Sequence, residues 1–242
     1  MSNSPFKTVT IAGGTGDLGY AIAEAFLNDG SYNVKILRRK PEKENEKAKL
    51  LASKGAEIIY ADYSQNDDLV KAFKGTEVIV SAPLPRMPLW RGSSHLNLLE
   101  DLNDKDKFRE ELEKSGLDYF YVDANEKIPT TSLNDIGKYT VETLKIPEAR
   151  NARINIAGSF LSLNEYLEIF EKVSGSKWEV IVDKDVRHRY KNKIEPVPQF
   201  LDYYKAVLLQ EGEVNLELDN DKFSFTPKPV TEFIEKLVKQ AS

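Results

Sequence analysis

Lys7-Thr-Val-Thr-Ile-Ala-Gly-Gly-Thr-Gly-Asp-Leu-Gly19 joins a short β-rich run to glycines recurring at Gly13, Gly16 and Gly19. Tyr20-Ala-Ile-Ala-Glu-Ala-Phe-Leu27 follows, with helix formers and apolar residues three and four apart. The order predicted is therefore strand, glycine turn, helix. In that order each glycine has a job. Gly13 permits the tight turn, Gly16 lets the backbone approach an anion, and Gly19 lets the helix press on the strand. The N–H groups that open the helix would then face a pyrophosphate. The spacing is G-x-x-G-x-x-G and not the commoner G-x-G-x-x-G, so a plain strand-to-helix turn is the competing reading.

Working outward, Asn33–Leu37 reads as a second strand, followed by Arg38, Arg39 and Lys40. An NAD-binding unit carries an acid near this point, about 20 residues past the first glycine, to bond the ribose 2′-hydroxyl. Here the tip is basic. Two guanidinium forks suit a 2′-phosphate, which favours NADP(H); a solvated basic loop is the alternative. Glu42–Ser53 reads as a charged helix, Glu57–Tyr60 as strand three, Asp67–Phe73 as a helix and Glu77–Ser81 as strand four. Strands alternating with helices predict a parallel sheet with right-handed crossovers. Ligands of such sheets lie off the carboxyl ends of the strands. Gly13 to Gly19 (with Thr15, Asp17 and Leu18 between), Arg38–Arg39, Asp62–Tyr63 and Ser81–Pro83 all fall on that edge. Asp62 fits a turn or helix cap equally well.

Residues 82–103 are broken by Pro83, Pro85 and Pro88, with Met87, Leu89 and Trp90 between them. They read as a surface loop with a buried anchor or as an apolar wall beside a substrate. Lys105–Ser115 reads as an amphipathic helix and Leu117–Val122 as a strand. Ser132-Leu-Asn-Asp135 and Ser162-Leu-Asn-Glu165 are capping-box patterns that open helices over about 133–145 and 163–174. Ala152–Ala157 and Trp178–Val182 read as strands. Pro198–Gln210 and Pro229–Ala241 read as helices.

The chain has 242 residues, 40% hydrophobic and 30% charged, with a formal net charge of −5 and no cysteine. That is ordinary for a globular protein and gives no global attraction to nucleic acid. It excludes disulfides and thiol chemistry. No signal-peptide pattern or membrane-length apolar run is evident, so a cytoplasmic protein is expected. No His/Asp/Glu cluster has metal-ligand spacing. None of the 11 tyrosines has a lysine four residues on, which removes the Tyr-x-x-x-Lys proton relay and argues against an epimerase-like enzyme.

Ala12-Gly-Gly-Thr-Gly-Asp-Leu-Gly19, Arg39-Lys-Pro41, Ala61-Asp-Tyr63 with Leu69, and Lys74-Gly-Thr-Glu-Val-Ile-Val-Ser81 together resemble the NmrA-like and isoflavone-reductase-like families. These are atypical members of the short-chain dehydrogenase superfamily. Glu113–Val122, Thr131–Gly137, Asn155–Gly158 and Leu161–Glu165 resemble later landmarks of the same families. The resemblance implies an α/β fold: a Rossmann-like, doubly wound parallel sheet over residues 1–125, with a smaller C-terminal α/β substrate or partner region over 126–242, interwoven with the first. It implies NADP(H) over Gly13, Thr15, Gly16, Leu18 and Gly19, with Arg39 on the 2′-phosphate. It also implies a catalytic lysine, which falls at Lys105, with Lys107 as competitor. A buried lysine of lowered pKa can act as general acid or base. Residues 82–103 and 123–134 are shorter than the corresponding family segments, where a substrate pocket is built. Two functions follow: an NADPH-dependent reductase of a small apolar or aromatic compound, or a non-catalytic NADP(H) sensor acting through a protein partner.

Overall fold

The computed structural model describes residues 4–39, 45–82, 119–120, 127–177, 181–182, 188, 192 and 217–241. The chain divides into two compact units. One comprises Met1–Met87, Thr131–Ile156 and Leu218–Pro227, the other Pro88–Thr130, Ala157–Glu217 and Lys228–Ser242.

In the first unit, β1 (Thr8–Ala12), α1 (Asp17–Asp29), β2 (Asn33–Arg38), α2 (Glu46–Ser53), β3 (Glu57–Tyr60), α3 (Asn66–Ala72) and β4 (Val78–Ser81) alternate as expected. The strands form one parallel sheet in the order β3-β2-β1-β4. Ala12 lies opposite Leu37 on one side and Ser81 on the other. The side chains alternate between faces. Val9, Ile11, Val34 and Ile36 meet Ile22, Ala23 and Phe26 of α1 in the larger core, and all seven are buried. Ala12, Leu37 and Ala61 face the other way, onto Ala72 of α3. At the far edge, one Glu77 carboxylate oxygen accepts from the Lys7 and Thr8 N–H groups, each at 2.8 Å, which ties the start of β1 to the start of β4.

Helix α1 stops at Gly30, which takes the left-handed conformation at φ 74°. Its other face receives α4 (Leu133–Thr143). The helices meet at Gly137, where a Cβ would come within 2.6 Å of the Ala21 carbonyl oxygen. Ser132 caps α4 by accepting from the Asp135 N–H at 3.1 Å, and its hydroxyl donates to the Asp135 carboxylate at 2.9 Å. That is one half of the expected capping box; the other half is replaced by this side-chain pair. Asp135 is fully buried and also receives Lys138 Nζ at 2.8 Å. Tyr139 packs edge-on against Phe223, with centroids 4.6 Å apart, and against Phe225.

Residues 152–157 form no strand, contrary to the expectation from their alternating Ile and Asn. The segment is held by a reciprocal pair instead. The Asn155 N–H donates to the Asp219 carboxylate and the Asp219 N–H donates to the Asn155 carbonyl, both at 2.7 Å. One tethered residue does not make a ladder.

In the second unit, β5 (Tyr119–Phe120) pairs parallel with β8 (Ile181–Val182), and β6 (Lys127–Thr130) antiparallel with β7 (Ser159–Ser162). The β6–β7 pair has no counterpart in the sequence reading; Pro129 stands inside one strand, and the other ends at Ser162, which reads as the cap of the next helix. Helix α5 (Leu163–Ser174) opens with the complete capping box. The Glu165 N–H donates to Ser162 Oγ at 3.2 Å, and the Ser162 N–H to Glu165 Oε2 at 2.7 Å. The last helix, α6 (Val230–Ala241), packs on α5. The expected segments over 105–115 and 198–210, and 82–103 beyond Ala82, lie outside the described residues.

Candidate functional site

The carboxyl edge of the sheet gathers most of the residues singled out from the sequence. The chain leaves β1 at Gly13, whose φ of 82° is a left-handed value that side-chain-bearing residues avoid. The Gly16 N–H closes the turn onto the Gly13 carbonyl at 3.0 Å, and the Tyr20 N–H makes the first helical bond to the Gly16 carbonyl at 2.8 Å. Gly16 is the N-cap and offers no side chain to the first-turn N–H groups. Those groups are the positive end of a 13-residue helix.

Gly19 shows why the turn holds this shape. A Cβ there would lie 2.2 Å from the Gly13 carbonyl oxygen, 2.7 Å from its carbon and 2.9 Å from Gly14 Cα. The helix rests directly on the turn's backbone. Gly14, which the spacing argument passes over, is constrained as well: its Cβ would lie 2.9 Å from a methyl of Ile36. The Gly-Gly pair was the only available signal. Gly16 is less tightly confined, with a Cβ 3.4 Å from the Gly13 oxygen. Asp17 and Leu18 are exposed, and Asp17 pairs with Lys47 of α2. Thr15 is half-buried in the turn.

Arg38 ends β2 half-buried and Arg39 follows it exposed. Among the described residues neither guanidinium is in an ion pair. Tyr63 reaches across from the end of β3 and donates its hydroxyl to the Leu37 carbonyl at 2.9 Å. Burial pushes this phenol above its ordinary pKa, against the opposing effects of the Arg39 charge, the Gly13 N–H and the Arg38 charge. Asp62 Oδ1 accepts from the Ser64 N–H at 2.9 Å and the Ser64 hydroxyl at 2.7 Å, which lowers its pKa. That oxygen caps the turn into α3. Ser81, exposed, ends β4 beside Ala12. Pro83, Lys105 and Lys107 lie outside the described residues. Among the described residues no group of carboxylates and histidines could hold a metal.

The arrangement is a helix N-terminus laid bare by glycine, flanked on the neighbouring strand by two cations. It can hold a phosphate-bearing ligand along the sheet edge. The residues fit a dinucleotide: the close approach at Gly19 leaves the backbone open, and the forks of Arg38 and Arg39 match phosphate oxygens.

Comparison with known proteins agrees with this geometry. Residues 5–86 match the model of the NmrA-like family. Over 76 residues the chain is 37% identical to an NmrA-like family domain-containing oxidoreductase, notA′, of Aspergillus versicolor; the match covers 31% of this chain and 21% of that protein. Against pinoresinol reductase 1 of Arabidopsis thaliana it is 24% identical over 239 residues, covering 71% of this chain and 75% of the relative. Among solved structures, the NADPH complex of leucoanthocyanidin reductase from Vitis vinifera superposes with a TM-score of 0.70 at 21% identity, covering 96% of this chain and 99% of that one. The fold is thus Rossmann-like, and among the described residues no helix is long and apolar enough to cross a membrane. Glycine turn, parallel sheet and family match coincide on the same segment: residues 5–86 form a domain that matches the NmrA-like family model.

Proposed function

We propose that the chain is an NADPH-dependent oxidoreductase acting on a small apolar or aromatic compound. The observation that carries this is the glycine turn with α1 seated on it, beside the basic end of β2. The first-turn N–H groups of α1 would hold the pyrophosphate, and Arg38 and Arg39 the 2′-phosphate. Asp62, Tyr63, Ser81 and Pro83 would line the same edge. When bound, NADPH supplies a hydride from its nicotinamide ring. Lys105 would give or take the accompanying proton, a role that rests on the family resemblance. The oxidoreductase and reductase relatives, and a neighbour of the same fold solved with NADPH, support both the cofactor and the reaction class.

The test has two stages. Binding of NADPH and NADH is measured by nucleotide fluorescence, for the protein and for Arg39→Ala. NADPH should bind more tightly, and the variant should lose that preference. Equal affinity for both would sink the 2′-phosphate assignment. NADPH oxidation is then followed with a panel of enones and aryl ketones, and Lys105→Ala should abolish it. Tight NADPH binding without turnover on any of them would count against the enzyme.

A further inference from the structure

The carbonyl and N–H groups at the carboxyl edge define how the sheet ends. The Ala12 carbonyl accepts from the Ala82 N–H at 2.9 Å, on the β4 side. Successive residues of a strand point their hydrogen-bonding groups to opposite sides, so the next N–H, that of Gly13, turns toward β2. On β2 the Arg38 carbonyl accepts from the Ala61 N–H at 3.0 Å, on the β3 side. The carbonyl before it, Leu37, therefore turns toward β1. Gly13 N–H and Leu37 C=O face one another where β1 bends away into the glycine turn. The Tyr63 hydroxyl donates to the Leu37 carbonyl at 2.9 Å, on the side that Gly13 faces, and the Gly13 N–H acts on the phenol oxygen from across the gap. A side chain from the turn after the third strand thus occupies the place where the ladder between the first two stops.

We propose that Tyr63 is a positioning residue for cofactor choice: its hydroxyl ties the glycine turn to the end of β2 and so holds the pyrophosphate site at a set distance from Arg38 and Arg39. The proposal rests on the NADP(H) reading above. It assigns the hydroxyl a task apart from any contact its ring makes with the nucleotide. NADH engages the turn alone and tolerates small movements of it. NADPH must satisfy the turn and the guanidinium forks together, so it alone needs the distance kept.

The 242-residue chain with Tyr63→Phe keeps the ring and removes the tie. NADPH affinity should fall by about five- to tenfold, the effect of one or two hydrogen bonds, while NADH affinity changes by less than about twofold. A general loss of stability would weaken both nucleotides alike and leave their ratio unchanged. Tyr63→Leu, which also removes the ring, should show the same collapsed ratio. Hydrogen exchange at the Gly13 amide, measured without nucleotide, should quicken in Tyr63→Phe. An unchanged NADPH to NADH ratio in Tyr63→Phe overturns the proposal, as does unchanged exchange at Gly13. If the unaltered protein binds no NADPH, the cofactor reading fails and the proposal with it, whatever Gly13 exchange shows.

Discussion

Gly19→Ala tests the packing of helix on turn. The added Cβ would stand 2.2 Å from the Gly13 carbonyl oxygen, whereas ordinary contact begins near 3.4 Å, so 1.2 Å must be found. The obstructing atoms are all backbone, of Gly13 and Gly14, and no flexible side chain can swing aside. Helix α1 has to lift from the turn or the turn has to distort. Alanine in a helix gains about 1 kcal/mol over glycine, and overpacking of a filled site costs about 1–3 kcal/mol. The net loss expected is up to about 2 kcal/mol, a fall in Tm of up to roughly 8 °C at this size. The functional loss should be larger, because the first-turn N–H groups move with the helix. Losing one charge-assisted hydrogen bond of about 1.5–3 kcal/mol weakens NADPH by tenfold or more. Gly137→Ala is the control. It meets the Ala21 carbonyl at 2.6 Å on the opposite face of α1, a comparable clash away from the turn. It should lower Tm and leave NADPH affinity within about twofold of the parent. Thermal unfolding and nucleotide titration on both variants decide the matter. If Gly19→Ala binds NADPH like the parent, or Gly137→Ala loses binding as severely, the turn is not the phosphate site.

Three further outcomes follow from the packing. Tyr139→Phe removes a buried hydroxyl that no described residue hydrogen-bonds, and should change stability by about +1 kcal/mol in the protein's favour by urea unfolding; a loss of similar size would mean the hydroxyl holds a partner. Glu77 is held below its ordinary pKa of 4.5 by the Lys7 and Thr8 N–H groups. Because the folded value is the lower one, its stabilisation is present above pH 4.5 and is lost as pH falls through and below that value. Glu77→Gln should therefore flatten the decline of Tm with acid, and an unchanged profile would rule out the clamp as its source. Ser162→Ala removes the capping-box hydroxyl at the start of α5 and should cost about 1 kcal/mol, read by thermal unfolding, with NADPH affinity untouched.

Much of the first unit was legible because its signals are local. Thr8–Ala12 is apolar and β-branched, Asp17–Asp29 has helical spacing, and glycines punctuate the corner between them. The second unit was less legible. Lys127–Thr130 holds a proline and Ser159–Ser162 runs into a helix cap, so neither carries a strand signal, and they become strands only by pairing with each other across about 30 intervening residues. Residues 152–157 mislead in the opposite sense. Their Ile–Asn alternation mimics a strand, but the segment is tied to Asp219 through Asn155 and, among the described residues, joins no strand ladder.

By itself the sequence determined the chemistry of the sheet's carboxyl edge: glycines where backbone must lie close, and two arginines where a carboxylate would select a different nucleotide. Those properties belong to residue types and their spacing along the chain. Only the tertiary structure decided that Gly14 is confined by Ile36, that Asp62 spends one oxygen on capping its own turn, and that the Tyr63 hydroxyl closes the gap between Gly13 and Leu37. The Asp62 cap is local, to Ser64 two residues on, but the contacts of Gly14 and Tyr63 depend on the register of parallel strands. That register juxtaposes atoms roughly 25 and 50 residues apart, at distances no local pattern encodes.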